Sequence, residues 1–286
     1  MQFAPASAAG YTATLTATSA RPGVTATLPL TGTSAAAGHL YWTNALAGTV
    51  VEAGLDGSNP QVIVTGQGSP TGVAVDSTHL YWSNVGPGTI VEAGLDGSNP
   101  QAIASGQGDP AGVAVNSTHL YWANSNSPGT IVEAGLDGSN PHIIAIGQSV
   151  PTGVAVDNTH LYWANSGFTT FGEGTIMEAG LDGSNPQAIA TGQAFSWGLA
   201  VDSTHLYWSN SGDGTIVEAG LDGSNPQVIA TVTNGGSNIA LAVDSTHLYW
   251  SNNAAGTIVE AGLDGSNPQV IVTGQNLVLG MAVSAP

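Results

Sequence analysis

The chain of 286 residues carries 19 Asp and Glu against one basic side chain, Arg21, for a formal net charge of −18, yet only 7% of it is charged, where an ordinary soluble domain has about 25%. Without lysine or cysteine it can build no Walker lysine, Schiff base, thiol nucleophile, disulfide or Cys-based zinc site. A single arginine cannot form a phosphate-contacting patch, and no apolar run approaches the ~18 residues of a membrane span, so neither nucleic acid nor membrane insertion is expected.

The start, Met1 to Gly10, lacks the basic and apolar regions of a signal peptide and reads as the mature or trimmed terminus of an extracellular, bacterial protein. The absence of Cys is neutral between compartments. Residues 1–31, rich in Thr and Ala and including the stretch Tyr11–Ala17, are expected to form a leader or an extra edge strand.

From residue 32 onward the chain repeats. His-Leu-Tyr-Trp begins at His39, His79, His119, His160, His205 and His247, at spacings of 40, 40, 41, 45 and 42, and Leu-Asp-Gly-Ser-Asn-Pro begins at Leu55, Leu95, Leu136, Leu181, Leu221 and Leu263. Six units of about 41 residues match the length of propeller blades. Within the second unit four extended segments are expected, at Gly72–Val75, Leu80–Ser83, Thr89–Ala93 and Gln101–Ala104. Asp-Gly, Asn-Pro and Pro-Gly pairs between them supply the backbone angles of tight turns. No segment holds a helical period over three turns.

Strands such as Gly72–Val75 are apolar on both faces, which suits sheets stacked around an axis. The last segment, Gly280–Val283, matches the first strand of a further blade, while the unit at His39 is preceded only by the degraded Gly32–Gly38. The expectation is therefore an all-β, six-bladed propeller of four-stranded antiparallel blades over residues 32–286. Strand 280–283 would close the ring by joining the N-terminal blade.

The segments Gly72-Val-Ala-Val-Asp76, Leu80-Tyr-Trp-Ser-Asn84 and Ile90-Val-Glu-Ala-Gly-Leu-Asp-Gly-Ser-Asn99 resemble the YWTD repeats of the low-density-lipoprotein-receptor class, and the likeness recurs six times. The resemblance implies a six-bladed propeller that is extracellular and binds proteins, usually without catalysis. The sequence departs from the family pattern at its Thr-Asp pair, which becomes Thr43-Asn44, Ser83-Asn84, Ala123-Asn124, Ala164-Asn165, Ser209-Asn210 and Ser251-Asn252. The family's inter-blade contacts are therefore not carried over unchanged.

With strands named A to D from the axis outward, the A–B and C–D turns share one face of the disc and the B–C and D–A connections share the other. The first set is nearly invariant among units, and most of the variation collects in the second, where loops differentiate function. The fourth unit is the outlier: Phe168, Phe171 and Glu173 in its B–C loop, with Phe195 and Trp197 in the next D–A connection, would form an aromatic platform suited to a sugar or a protein hot spot. The competing reading folds the phenylalanines over their own loop and plugs the axial opening with Trp197. Gln67, Gln107, Gln148, Gln193 and Gln275, one after each of five D strands, would serve a hydroxyl-rich ligand or tie loop backbone to the next blade.

The six motif histidines are read as bonded within their A–B turns, because a ring of that size spreads them too far apart to share a metal ion. Asp-Gly-Ser-Asn lacks the spaced acids of a calcium loop and reads as a hairpin turn, leaving calcium possible but unsupported. No cofactor and no metal ligand is assigned. Function is expected to be non-enzymatic recognition or scaffolding of an extracellular glycan or protein on the B–C/D–A face. The alternatives are a propeller lyase or metal-dependent lactonase with an axial ion, or a structural or engineered repeat module. Only Asp109, Glu173 and Asp213 stand outside the repeated acids, and all three fall on the variable face.

Overall fold

A computed structural model describes residues 10–18, 25–33, 38–167, 172–232 and 238–284. The N-terminal segment contributes β1 (Gly10–Thr18) and β2 (Thr25–Thr33), which pair with each other in a separate two-stranded antiparallel sheet. The remaining strands make six four-stranded antiparallel sheets.

Blade 1 runs from the axis outward as β26 (Val278–Val283), β3 (His39–Asn44), β4 (Thr49–Gly54) and β5 (Gln61–Val64). Blade 2 holds β6 (Pro70–Val75), β7 (His79–Asn84), β8 (Thr89–Gly94) and β9 (Gln101–Ala104). Blade 3 holds β10 (Pro110–Val115), β11 (His119–Asn124), β12 (Gly129–Gly135) and β13 (His142–Gln148). Blade 4 holds β14 (Pro151–Val156), β15 (His160–Asn165), β16 (Gly174–Gly180) and β17 (Gln187–Gln193). Blade 5 holds β18 (Ser196–Val201), β19 (His205–Asn210), β20 (Thr215–Gly220) and β21 (Gln227–Thr231). Blade 6 holds β22 (Leu241–Val243), β23 (His247–Asn252), β24 (Thr257–Gly262) and β25 (Gln269–Val272). The innermost strands neighbour one another all the way round, β26 lying between β22 and β6, so the C-terminal strand closes the ring as expected.

The packing follows from the period-two geometry of strand B. In each His-Leu-Tyr-Trp, Leu and Trp face the preceding blade and Tyr faces the following one. Tyr41 thus packs with Leu80 and Trp82, Tyr81 with Leu120 and Trp122, and so on to Tyr249 with Leu40 and Trp42. Five of the six motif tryptophans are at most 1% exposed and the sixth, Trp250, is 6%. Removing any one to alanine costs about 3–5 kcal/mol.

Near the axis the strands approach so closely that a side chain will not fit. A methyl group on Gly72 would lie 2.3 Å from the carbonyl oxygen of Ala111, and one on Gly280 would lie 2.2 Å from that of Thr71. Hydroxyls bond across the same seam: Thr43 Oγ1 donates to Thr71 O at 2.7 Å and Ser209 Oγ to Ile239 O at 2.7 Å, and Ser83 bonds Ala111 O in the same way. Blades 3 and 4 have Ala123 and Ala164 at this position. There Ser125 supplies the bond to Pro151 O, and Thr152 Oγ1 donates to Ser196 O at 3.0 Å.

Candidate functional site

The D–A connection enters each inner strand through an unusual backbone turn. Ser69, Asp109, Val150, Phe195 and Leu277, each immediately before an A strand, have φ between 52 and 60°. In blade 6 the positive φ falls one position later, on Asn238 at 53°. Left-handed backbone costs an L residue roughly 1–2 kcal/mol, and a β-branched residue such as Val150 more. A hydrogen bond from the neighbouring B–C loop holds the turn. The N–H groups of Val85, Ser125, Ser166, Ser211 and Ala45 donate to the carbonyls of Ser69, Asp109, Val150, Phe195 and Leu277 at 3.0–3.2 Å. These bonds place the B–C loops and D–A connections on one face and pin them to each other.

These entries surround the axial opening. On this face lies a depression of about 300 Å³, walled chiefly by Leu46, Val85, Val150, Leu277, Leu279 and Trp197 and interrupted by the hydroxyls of Ser69, Thr71, Ser125 and Thr152. Among the described residues Asp109 is the one carboxylate that lines it. Leu46, in the B–C loop of blade 1, is 71% exposed. Below the depression a narrower space of about 50 Å³ continues between the inner strands, room for little more than one or two water molecules.

Trp197 lines both spaces. Its indole Nε1–H donates to Leu279 O at 3.2 Å, tying blade 5 to the closing strand of blade 1 across the edge of blade 6. It is half-buried. Phe195 occupies the positive-φ position before β18 and is also half-buried. Glu173 is exposed at the end of the blade 4 loop, and Phe168 and Phe171 lie outside the described residues. Asp213 caps its own blade 5 loop, accepting from Thr215 N–H at 3.1 Å and Thr215 Oγ1 at 2.7 Å.

The five glutamines occupy inter-blade positions. Gln107 Oε1 accepts from Trp122 Nε1 at 2.8 Å and Asn124 Nδ2 at 3.2 Å, both in the next blade, while its Nε2 donates back to Ser105 O at 3.1 Å. Gln67, Gln148, Gln193 and Gln275 repeat the clip on Trp82, Trp163, Trp208 and Trp42, each with the Asn two residues after that Trp. The asparagine that replaces the YWTD aspartate is thus a donor to the preceding blade's glutamine carbonyl, a role an ionised aspartate could not fill.

The opposite face is chemically uniform. Asp76 accepts the N–H groups of Thr78 and His79, each at 2.7 Å, and hydroxyls of Thr78 and Tyr81 at 3.0 and 3.1 Å. Burial alone would raise its pKa, but these donors outweigh burial and hold the carboxyl below its ordinary value. Asp157, Asp202 and Asp244 repeat the arrangement, and Asn116 makes the same turn without charge. Each motif histidine lies beside the strand C glutamate of its blade, as His79 Nε2 does at 3.5 Å from Glu92. Burial and the neighbouring carboxylates push the Tyr81, Tyr162, Tyr207 and Tyr249 phenols upward, and burial with Glu133 pushes Tyr121 up to about 12.

Sequence reasoning missed most of the depression. Leu46, Val85, Val150, Leu277 and Leu279 are ordinary apolar residues in the sequence, marked only by differing from their counterparts in other units. What unites them is the entry turn, visible only in φ.

The fold is similar to a chain in the crystal structure of the nidogen/laminin complex, with a TM-score of 0.76 and 20% identity over 86% of this chain and 98% of that one. That likeness is one of fold, and it agrees with the YWTD-type six-bladed propeller that the repeats resemble. No protein-family model matches the sequence, and no curated protein does. No helix among the described residues is long and apolar enough to cross a membrane.

Proposed function

We propose that the protein is a non-enzymatic recognition module that receives a partner protein in the axial depression of the B–C/D–A face, in an extracellular setting. The observation that carries this reading is the depression itself. It is apolar, open and rimmed by exposed Leu46, and its walls come from the positions at which otherwise similar units differ. An uncovered apolar patch beside polar groups is characteristic of a protein-binding surface. The strained entry turns are compatible with this reading, since left-handed non-glycine residues held in place by surrounding contacts cluster at ligand-binding surfaces. The structural neighbour belongs to a nidogen/laminin complex, and a comparable use of this disc is in keeping with it.

A glycan is the second reading, favoured by the hydroxyls of Ser69, Thr71, Ser125 and Thr152 around Trp197. The lyase or lactonase reading rests on less, because Asp109 is the single carboxylate at the depression. The test is a combined extracellular-protein and glycan array probed with the wild type and with Leu46→Glu. Leu46 is exposed, so its substitution leaves the fold intact. A ligand bound by the wild type and lost in Leu46→Glu supports the assignment; one retained at full strength places recognition elsewhere.

A further inference from the structure

The outer strand of blade 3 departs from the repeat where the repeat meets solvent. β13 begins with His142, where the other five units have Gln61, Gln101, Gln187, Gln227 and Gln269. It carries Ile146 where they have Thr65, Ser105, Thr191, Thr231 and Thr273. Ile146 is 75% exposed and Ile143 56%. β13 is seven residues long, as is β17, against four or five for β5, β9, β21 and β25, so its side chains and not its length set it apart. It stands last in its sheet, so its outer N–H and C=O groups have no strand beside them among the described residues.

Ile143 lies opposite Val132 and Ile146 opposite Thr130, two positions on one face of the sheet. The two isoleucines therefore form a short apolar row on the side facing blade 2, where Val132 packs. Native proteins usually blunt such an edge with charge, lysine above all, and this chain has no lysine to use. Two acids flank the start of the strand instead. Asp137 is in the turn that leads into β13, and Asp182 is in the blade 4 turn whose Gly183 abuts Ile144, a methyl there lying 2.4 Å from the Ile144 carbonyl oxygen. The hydroxyl and N–H of Ser139 and Ser184 hold these exposed carboxyls below their ordinary value, so both are ionised at neutral pH.

We propose that β13 is a strand-addition site for an extended, basic segment of a partner protein: its apolar side chains join the row of Ile143 and Ile146, and its cationic ones meet Asp137 and Asp182. Main-chain hydrogen bonds supply affinity in this mode and alternate side chains supply specificity. A second copy of the chain is a poor occupant, since each copy carries 19 acids with only Arg21 to offset them. The site is on the rim, apart from the axial depression, and stands or falls independently of it.

The test is amide NMR of the labelled protein titrated with the synthetic peptide Lys-Lys-Thr-Val-Thr-Val-Thr-Val-Thr, and with the same peptide bearing Glu-Glu for Lys-Lys. The expected result is saturable shifts over residues 142–148 and none over 101–104 of β9. Ile146→Thr, which installs the residue of four of the other five blades and so preserves the fold, weakens binding by about tenfold, as does the acidic peptide. Absence of saturable shifts, equal shifts on β9, or unchanged binding by Ile146→Thr overturns the proposal. So does a concentration-dependent dimer of the protein alone that Ile146→Thr abolishes, which would give the edge to a second copy.

Discussion

At the scale of single residues, polar side chains bond one blade to the next. Gln107 accepts two hydrogen bonds from the next blade and donates one to its own. Truncating it leaves the donors of buried Trp122 and Asn124 without that acceptor, so Gln107→Ala is expected to lower unfolding free energy by about 1–3 kcal/mol. The exposed Gln101→Ala is expected to change it by less than about 0.5 kcal/mol; denaturant titration of the two variants checks the contrast. The A–B turn aspartates predict an acid-side effect of definite sign. Their folded pKa lies below the ordinary 3.8, so their stabilisation is complete above that value and is lost as pH falls through the lower folded one. Asp244→Asn keeps the turn, as Asn116 does, but removes the titration. Its melting temperature is expected to fall less than that of the wild type between pH 5 and pH 2, roughly the span over which such carboxylates titrate.

At the scale of the element, the sequence reveals strands and turns because their rules are local: alternation in His-Leu-Tyr-Trp, and Asp-Gly and Asn-Pro between runs. It also places β26 in the first blade, since Gly280–Val283 repeats an inner strand. It does not reveal the left-handed entry turns, because Ser69, Asp109, Val150, Phe195 and Leu277 share no side-chain chemistry; the common factor is a backbone angle imposed by the B–C loop. Val150→Gly is therefore expected to stabilise the protein by about 1 kcal/mol by releasing a β-branched residue from φ 53°, while weakening any ligand that uses the Val150 wall. Calorimetry alongside binding separates the two effects. The substitute hydroxyls are equally hidden from local reading. Ser125→Ala is expected to cost about 1 kcal/mol by unpairing Pro151 O. Adding Ala123→Ser, at the position of Ser83 and Ser209, supplies a new seam bond to the Thr152 carbonyl but leaves Pro151 O unpaired, so it should offset that loss only in part.

At the scale of the whole molecule, the two faces of the disc have different chemistry. The strand C glutamates and the Asp-Gly-Ser-Asn aspartates supply twelve of the 19 acids, and Asp76, Asp157, Asp202 and Asp244 four more, all on the invariant face. Only Asp109, Glu173 and Asp213 belong to the other. The large negative charge is thus a product of repetition, and the variable face, with three acids, carries far less of it and is partly apolar. Closure gives a prediction at this scale. Removing residues 278–286 deletes β26 and exposes the packing of Tyr249 against Leu40 and Trp42, so the truncated chain is expected to lose its single cooperative unfolding transition. Retention of a wild-type melting curve would contradict the clasp.

The central claim, that recognition belongs to the axial depression, is tested most directly by comparing one variant on each face against the same array-identified ligand. Leu46→Glu places a charge at the rim of the depression, and Asn99→Asp adds the same charge at an exposed turn of the opposite face. In isothermal titration, binding is predicted to weaken at least tenfold with Leu46→Glu and to stay within twofold of wild type with Asn99→Asp, the tenfold loss corresponding to about 1.4 kcal/mol. Loss of binding with Asn99→Asp and retention with Leu46→Glu would contradict the account.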